Sequence, residues 1–293
     1  MMMDGVLAGK AAIITGANRG LGLEIARRFV HAGASVMMCA RSADVLDEAR
    51  ASLLGSATQG QKIVAMKCDV SVERDVKDVV SEALAQLGGC QILVNNAGVY
   101  GPKGDIETID WTEWMKAIEI NLYGSILMCR AILPHFKAQG YGKVIQLSGG
   151  GATQPLPRIS AYAVSKAAVA RFSETLAEEV RGTGICVNAI APGALNTRML
   201  DEIIEAGPGK VGTAFYERSV KQKETGGTPL GSGAELAVFL ASEASDGITG
   251  KLISAVWDDW EHWTEHLEAL SSSDVYTLRR ITGRDRGFAW GDK

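Results

Sequence analysis

The sequence predicts an α/β protein with a doubly wound parallel sheet and a C-terminal extension. Short apolar runs alternate with segments of helical periodicity along most of the chain, and a glycine-rich turn joins the first run to the first helical segment. Alternation of this kind implies right-handed β-α-β crossovers, which place parallel strands in one sheet with helices on both faces. No internal repeat or low-complexity segment interrupts the pattern.

This alternation predicts the following strands and helices along the chain. The predicted strands are AAIITG, SVMMCA, KIVAMKCDV, ILVNNAG, GKVIQLS and ICVNAIAPG. The predicted helices are residues 20–31, ADVLDEARASLL, ERDVKDVVSEALAQLG, a stretch around residues 111–139, and residues 162–181. We therefore expect one catalytic domain over residues 1–254, followed by a Trp-rich extension at 255–293.

Residues 194–231 interrupt the alternation of predicted strands and helices because they are rich in charged residues and glycine. They follow the carboxyl end of a predicted strand, where sheets of this type bind ligands. We predict a lid over the substrate, the alternative being an ordinary surface excursion.

The tail past Ser254 carries a row of apolar side chains at helical spacing, Trp257, Trp260, Trp263 and Leu267. This spacing predicts an aromatic stripe on one side of a helix, and such stripes serve packing or subunit contact more often than ligand binding.

Composition excludes several function classes. The formal net charge of −4 and the dispersed basic residues give no global attraction to nucleic acid. No apolar run approaches the roughly 20 residues needed to cross a bilayer. The N-terminus enters a strand almost at once, which leaves no room for a secretory signal. We therefore expect a cytoplasmic protein with neither nucleic-acid nor membrane partners.

The spacing of the cysteines also indicates a cytoplasmic protein. They lie far apart, without a CxxC pair, at positions Cys39, Cys68, Cys90, Cys129 and Cys186. This spacing is typical of reduced core residues in a cytosolic protein.

The turn TGANRGLG, residues 15–22, follows the first strand and opens the first helix. A strand before and a helix after this glycine pattern indicate a dinucleotide site. The glycines let the backbone approach a pyrophosphate, and the free N–H groups and dipole of the helix start stabilise its charge. The predicted cofactor contacts in this turn are Gly16, Asn18, Arg19, Gly20, Leu21 and Gly22.

The end of the second strand favours NADP(H) over NAD(H). NAD-binding proteins commonly place a carboxylate there for the ribose hydroxyls, whereas this chain has Ala40 and then Arg41. Arg19 in the glycine turn can reach the same corner. Two guanidinium groups and no carboxylate suit a 2′-phosphate, although both arginines could instead be solvated.

Tyr162 and Lys166 lie four residues apart at the start of a predicted helix, hence on one helical face. An ammonium about 4 Å from a phenol stabilises the phenolate by about 4 kcal/mol, which would bring a pKa of about 10 to near 7. The pair is therefore a candidate acid/base for ketone reduction or alcohol oxidation, unless Tyr162 is simply a packed aromatic residue.

With these motifs in hand, the chain resembles the short-chain dehydrogenase/reductase family over about residues 8–254. The resemblance is carried, in order, by TGANRGLG (15–22), CDV (68–70), NNAG (95–98), NLYG (121–124), LSGGG (147–151), YAVSK (162–166), and APG followed by a threonine (191–197). It implies a Rossmann-like NAD(P)(H)-binding domain with an Asn–Ser–Tyr–Lys catalytic set, and a homo-oligomer, dimer or tetramer.

The resemblance also implies individual roles. Asn121 would hold a water in a proton relay from Lys166, Ser148 would hydrogen-bond the substrate carbonyl, and Tyr162 would be the acid/base. Lys166 would also bind the nicotinamide ribose. Further cofactor contacts are implied for Asp69, Val70, Asn95, Ala97, Gly98, Pro192, Gly193 and Thr197. Asn121 as a helix-interior polar group and Asp69 as a strand-end cap remain alternatives.

One departure from the family pattern concerns the serine. Members usually carry it thirteen residues before the tyrosine, a position occupied here by Gly149, whereas Ser148 lies fourteen before. Either the loop holds one extra residue and Ser148 keeps the role, which we expect, or Thr153 or Ser160 substitutes.

The C-terminal extension is a second departure. His262 and His266 are spaced for one helical face, but the HExxH pattern is absent, so no metal site is predicted. The basic stretch YTLRRITGRDR predicts a subunit contact or a solvated face, or contact with an acidic neighbour or phosphorylated substrate.

The leading functional hypothesis is an NADP(H)-dependent oxidoreductase that reduces a ketone to a secondary alcohol, or the reverse, with Tyr162 as acid/base. One alternative is a dehydrogenase for a sugar or polyol hydroxyl. Another is an NADP(H)-sensing regulator without turnover, which the intact Asn121, Tyr162 and Lys166 argue against.

Overall fold

Seven parallel strands form the central sheet of the computed structural model, which describes residues 5–290. The strands are β1 (Ala11–Thr15), β2 (Ser35–Ala40), β3 (Ile63–Lys67), β4 (Ile92–Asn95), β5 (Gly142–Leu147), β6 (Ile185–Ala191) and β7 (Leu252–Ser254). They lie side by side in the order β3-β2-β1-β4-β5-β6-β7. The order reverses between β1 and β4, where ligands bind at the carboxyl ends of such sheets. The predicted α/β, Rossmann-like class is confirmed.

The described part of the chain contains the helices α1 (Gly20–His31), α2 (Ala43–Leu54), α3 (Glu73–Leu87), α4 (Trp111–Ile118), α5 (Gly124–Gln139), α6 (Ser160–Glu179), α7 (Arg198–Val211), α8 (Thr213–Thr225), α9 (Leu230–Ala241) and α10 (Leu267–Ser272). A π-helical segment, Glu119–Tyr123, joins α4 to α5. Such segments occur frequently at functional sites, and this one contains Asn121.

The core lies in two layers because successive side chains of a strand point to opposite faces of the sheet. Ile14 of β1 packs on one face with Phe29 of α1 and Phe239 of α9. Ile13 packs on the other face with Val79 of α3 and Phe136 of α5. All five cysteines are buried and free, as expected of core residues.

The stretch Trp111–Gln139, which contains α4 and α5, is 29 residues long and apolar enough to cross a membrane by length and composition. The sequence prediction considered only unbroken apolar runs and therefore did not find it. Half of its most apolar window is buried within the fold, and Met128 and Phe136 are core residues. Packing against the sheet therefore accounts for its apolar character.

The segment predicted as a lid forms two helices, α7 and α8, rather than an irregular loop. Gly207 kinks α7 at a φ of 75°, and Ile203 and Val211 pack against Ile159 just ahead of α6. These contacts place the amino end of α7 beside the carboxyl ends of the strands.

The C-terminal tail packs against its own chain. Trp260 and Trp263, only 6% and 4% exposed, lie in a 3-10 helix, Trp260–His266, and belong to the core cluster that contains Phe239 of α9. The packing interpretation is correct for these two residues. Trp257 is 86% exposed and does not pack within the chain, because the chain has not yet entered the helical turn there, so a subunit contact stays the prediction for it.

This contrast gives a prediction. We expect Trp263→Ala to lower the free energy of unfolding by about 3 kcal/mol, because it removes a large buried ring from a packed core. Trp257→Ala should change it by less than about 0.5 kcal/mol. Urea titrations of both variants test this, and equal effects would show that the tail does not contribute to the core.

Candidate active site

A cleft of about 570 Å³ follows the carboxyl ends of β1 to β6. It brings together most of the residues that the sequence singled out, from the glycine turn to the start of α7. The predicted residues that line it are Gly16, Asn18, Arg19, Gly20, Leu21, Gly22, Arg41, Asp69, Val70, Ala97, Gly98, Ser148, Tyr162, Lys166, Pro192, Gly193 and Thr197. Asn95 and Asn121 lie outside this lining.

The glycine turn forms a cradle that side chains would fill. A Cβ on Gly22 would lie 2.3 Å from the carbonyl oxygen of Gly16, and Gly16 itself has a φ of 64°. The first turn of α1 has no acidic residue, and Arg19, which precedes it, makes no side-chain cap. The N–H groups of this helix start are therefore open to an anion, and the residues present fit a dinucleotide pyrophosphate.

Arg19 and Arg41 are exposed at one end of the cleft, and neither forms an ion pair within the part of the chain that the structure describes. Asp69, the nearest predicted acid, holds the main-chain N–H and hydroxyl of Ser71 through its Oδ1 atom, at 3.0 and 2.6 Å. The two guanidinium groups therefore make this corner of the cleft basic, and one carboxylate oxygen of Asp69 is engaged with Ser71.

The placement of Asn95 corrects one prediction. Its side chain is buried behind β4, where its Nδ2 atom donates to the carbonyl oxygen of Ser125 at 3.2 Å. The neighbouring Asn96 lines the cleft instead and donates to the carbonyl oxygens of Thr15 and Gly16 at 2.9 and 3.1 Å. Strand alternation sends residue 95 inward and residue 96 outward, which the motif alone did not reveal.

Tyr162 and Lys166 project from one face of α6 into the middle of the cleft. The Nζ atom of Lys166 lies 5.6 Å from the centroid of the Tyr162 ring and donates to the carbonyl oxygen of Leu147 at 2.6 Å. The predicted pair is thus brought together, with the ammonium held by the end of β5.

The surroundings of Tyr162 oppose the expected acidification of its phenol. Burial, and then the neighbouring Tyr100, raise the pKa of Tyr162, while burial lowers the pKa of Lys166 to about 8. The sequence argument counted the attraction between the two groups but not the loss of water around both. Tyr162 is therefore protonated at neutral pH.

Asn121 is buried in the π-helical segment, behind Gly98. Its Oδ1 atom accepts from the N–H of Val99 at 2.8 Å, and its Nδ2 atom donates to the carbonyl of Val99 and to Ser165 Oγ. The amide is fully engaged in fixing the loop after β4 against α6. A relay water would therefore have to be held by the main-chain carbonyl, which accepts from Ser125 Oγ.

The structure also argues against substrate binding by Ser148. Its hydroxyl is buried and donates to the carbonyl oxygen of Lys166 at 3.0 Å. Gly149 instead faces the phenol, since a Cβ there would lie 2.8 Å from Tyr162 Oη. Of the two substitutes considered, Ser160 accepts from Trp114 Nε1 and Thr153 is exposed away from the cleft.

Sequence reasoning missed two residues on the other side of the phenol. The ring of Tyr100 meets that of Tyr162 edge-on, with centroids 4.7 Å apart. Burial, followed by the charge of Glu202, raises the pKa of Tyr100 to about 12. Both residues line the cleft, but Tyr100 lies within the loop between β4 and α4 and Glu202 lies inside α7, so no local motif marked them.

The histidines of the tail carry no metal arrangement. His262 bonds to Asp259 at 2.8 Å, and no cluster of metal-ligating side chains occurs between residues 5 and 290.

The family profile described as short chain dehydrogenase matches residues 10–207 of the chain. The chain belongs to the short-chain dehydrogenase family. The matched part contains the glycine turn, Tyr162 and Lys166, and it ends inside α7. As a short-chain dehydrogenase, the protein is an oxidoreductase that acts on CH–OH and C=O groups with an NAD(P) cofactor.

Individual relatives agree with this assignment. The chain is 38% identical over 202 residues to a short chain dehydrogenase of Pseudocercospora fijiensis, covering 67% of this chain and 63% of that protein. It is 33% identical over 244 residues to the 2-(R)-hydroxypropyl-CoM dehydrogenase of Xanthobacter autotrophicus, covering 82% and 94%. The crystal structure of levodione reductase superimposes with a TM-score of 0.77 at 26% identity, covering 85% and 96%.

Proposed function

We propose that this short-chain dehydrogenase is an NADP(H)-dependent carbonyl reductase that converts a ketone into a secondary alcohol, and catalyses the reverse reaction under oxidising conditions. The proposal is carried by one observation: the phenol of Tyr162 and the ammonium of Lys166 meet in the cleft whose far end holds the open start of α1. The bound nicotinamide would supply or accept the hydride.

The other steps of the proposed reaction are assigned to individual residues of the chain. Tyr162 is held protonated by burial, so it enters the reaction as a proton donor to the developing alkoxide. Lys166 would stabilise the resulting phenolate and would bind the nicotinamide ribose, which its position on the cleft wall supports. Asn121 fixes the loop against which the ring would lie, and its main-chain carbonyl would hold the relay water. No substrate contact is assigned to Ser148.

The basic corner supports NADP(H). We expect Arg41→Asp to lower the ratio of kcat/KM for NADPH to that for NADH by about 100-fold, because it replaces a phosphate-binding guanidinium with a repelling carboxylate. Arg74→Asp makes the same charge change on the exposed face of α3, outside the cleft, and should leave the ratio unchanged. An unmoved preference in Arg41→Asp would remove the support for NADP(H).

An assay of NADPH consumption, with ketones, keto sugars and 3-oxoacyl thioesters as substrates, tests the proposed function. NADPH consumption with simple ketones supports the proposal, whereas activity confined to keto sugars, together with NADPH formation from NADP⁺ and polyols, would favour the dehydrogenase alternative. Binding of NADPH without consumption across the panel would favour a sensing regulator.

We also propose a cytoplasmic homo-oligomer, a dimer or tetramer, whose catalytic domain spans residues 1–254. The extension at 255–293 would then be an addition packed on α9, and α7 and α8 would act as the lid. The reduced, buried cysteines support the compartment.

A further inference from the structure

Arg158 lies in the loop between β5 and α6 and joins two segments that border the cleft. Its Nη1 atom donates to the carbonyl oxygen of Gly209 in α7 at 2.8 Å, and its Nε atom pairs with Asp105 Oδ1 at 3.2 Å. Its own carbonyl oxygen accepts from the N–H of Gly104 at 2.9 Å. The side chain and the main chain of this one residue therefore fasten the loop after β4 to the carboxyl end of α7.

The end of α7 that Arg158 holds is a short turn between two glycines. Gly207 and Gly212, with φ of 75° and 84°, bound residues 208–211, and α8 begins directly after them. Glycine absorbs large changes in φ and ψ, which is what the hinge of a moving segment requires. Val211 is the only buried residue of this turn. The corner between α7 and α8 is therefore held by the packing of Val211 and by the bond from Arg158.

The main chain of Arg158 adopts a conformation that is unfavourable for a residue with a side chain. Its φ of 68° lies in the left-handed region, and in the described part of the chain Tyr276 is the only other non-glycine residue with a positive φ. A residue keeps such a conformation where the surrounding contacts compensate for its cost, and such residues cluster at functional sites. The bonds to Gly104, Asp105 and Gly209 are contacts of this kind.

We propose that Arg158 is a positioning residue, which fastens the corner of the α7–α8 lid to the loop after β4 and so keeps the wall of the cleft around a bound ketone assembled. Beyond this corner, α7 presents Met199 and Glu202 to the cleft, and the loop presents Tyr100. The bonds of Arg158 go to these two segments and not to the glycine turn that would bind the nucleotide. The inference rests on the proposed carbonyl reduction and on the proposed lid.

Steady-state kinetics of Arg158→Met with a simple ketone and NADPH test this role. The variant keeps a long unbranched side chain but loses both bonds of the guanidinium, so α7 is assembled for a smaller fraction of the time. Because the apparent affinity for the ketone falls with that fraction, we expect its KM to rise about three- to tenfold. The kcat and the Kd for NADPH should change by less than about twofold, since the nucleotide end of the cleft is untouched.

Arg50→Met is the matched control. Arg50 lies on α2, outside the cleft, and its side chain is 38% exposed and pairs with Asp47, against 33% exposure for Arg158. This control should leave the KM for the ketone at the wild-type value. An unchanged KM in Arg158→Met overturns the inference, as does an equal weakening of NADPH binding, which would indicate a general structural defect.

Two milder variants cover the case in which Arg158→Met does not fold. Asp105→Asn removes the charge pair but keeps the bond to Gly209, and Arg158→Lys keeps the charge without the fork that bonds both partners at once. Each should raise the KM for the ketone about two- to threefold. A wild-type KM in both variants contradicts the proposal.

Amide hydrogen exchange tests the attachment without reference to turnover. In Arg158→Met and Arg158→Lys, the amides of α7 should exchange about three- to tenfold faster than in the wild type, whereas those of α1 should keep their rates. If the wild type reduces no ketone, carbonyl reduction fails, and this measurement alone then decides whether Arg158 holds α7. Wild-type exchange rates in α7 overturn the inference.

Discussion

Tyr162→Phe is expected to lower kcat/KM for carbonyl reduction by about 100- to 10,000-fold, the usual contribution of a positioned acid. The substitution removes one oxygen and leaves the ring, which packs edge-on against Tyr100. Burial raises the pKa of the Tyr162 phenol, so at neutral pH the substitution removes the proton that we assign to the carbonyl oxygen.

Two measurements must accompany the rate. The Kd for NADPH, followed by nucleotide fluorescence, should change by less than about threefold, and the unfolding midpoint should stay close to that of the wild type. A variant that reduces ketones at wild-type rates would show that Tyr162 is a packing residue and that the proton comes from elsewhere.

Lys166→Met is expected to lower kcat/KM by about 100-fold or more and to change the pH dependence of stability. Burial holds the pKa of Lys166 at about 8 against an ordinary value of 10.5, which corresponds to roughly 3 kcal/mol. At neutral pH the free energy of unfolding is lowered by this amount, because the folded protein keeps an ammonium buried in the cleft wall. Natural active sites commonly reduce stability in this way.

The sign follows from proton binding. Between pH 8 and 10.5 the folded wild type binds fewer protons at Lys166 than the unfolded chain does, so its free energy of unfolding rises with pH. The variant lacks this group. The free energy of unfolding of the wild type minus that of Lys166→Met should therefore increase by about 3 kcal/mol from pH 7 to pH 10.5.

Urea titrations at several pH values measure that difference. The other ionisable groups titrate in both proteins and cancel, and the hydrogen bond lost at Leu147 weakens the variant equally at every pH. A difference that does not vary with pH would mean that the amine of Lys166 is solvated, which would contradict its placement behind the phenol.

The local pattern of the chain predicted the sheet and its ligand-binding edge. Apolar runs such as β1 and amphipathic segments such as α1 are defined by neighbours in sequence, so their bounds were found to within a few residues. The glycine turn was predicted for the same reason, since Gly16 and Gly22 act on the backbone next to them.

The amino-acid sequence by itself determined the α/β class, the family, and the pairing of Tyr162 with Lys166, because each depends on spacing within one element. Only the tertiary structure decided that Asn96 rather than Asn95 enters the cleft, and that Gly149 rather than Ser148 faces the phenol. It alone decided that Tyr162 stays protonated. These outcomes depend on which side of a strand end faces a distant helix and on how much water the folded chain excludes, and neither quantity is encoded in local spacing.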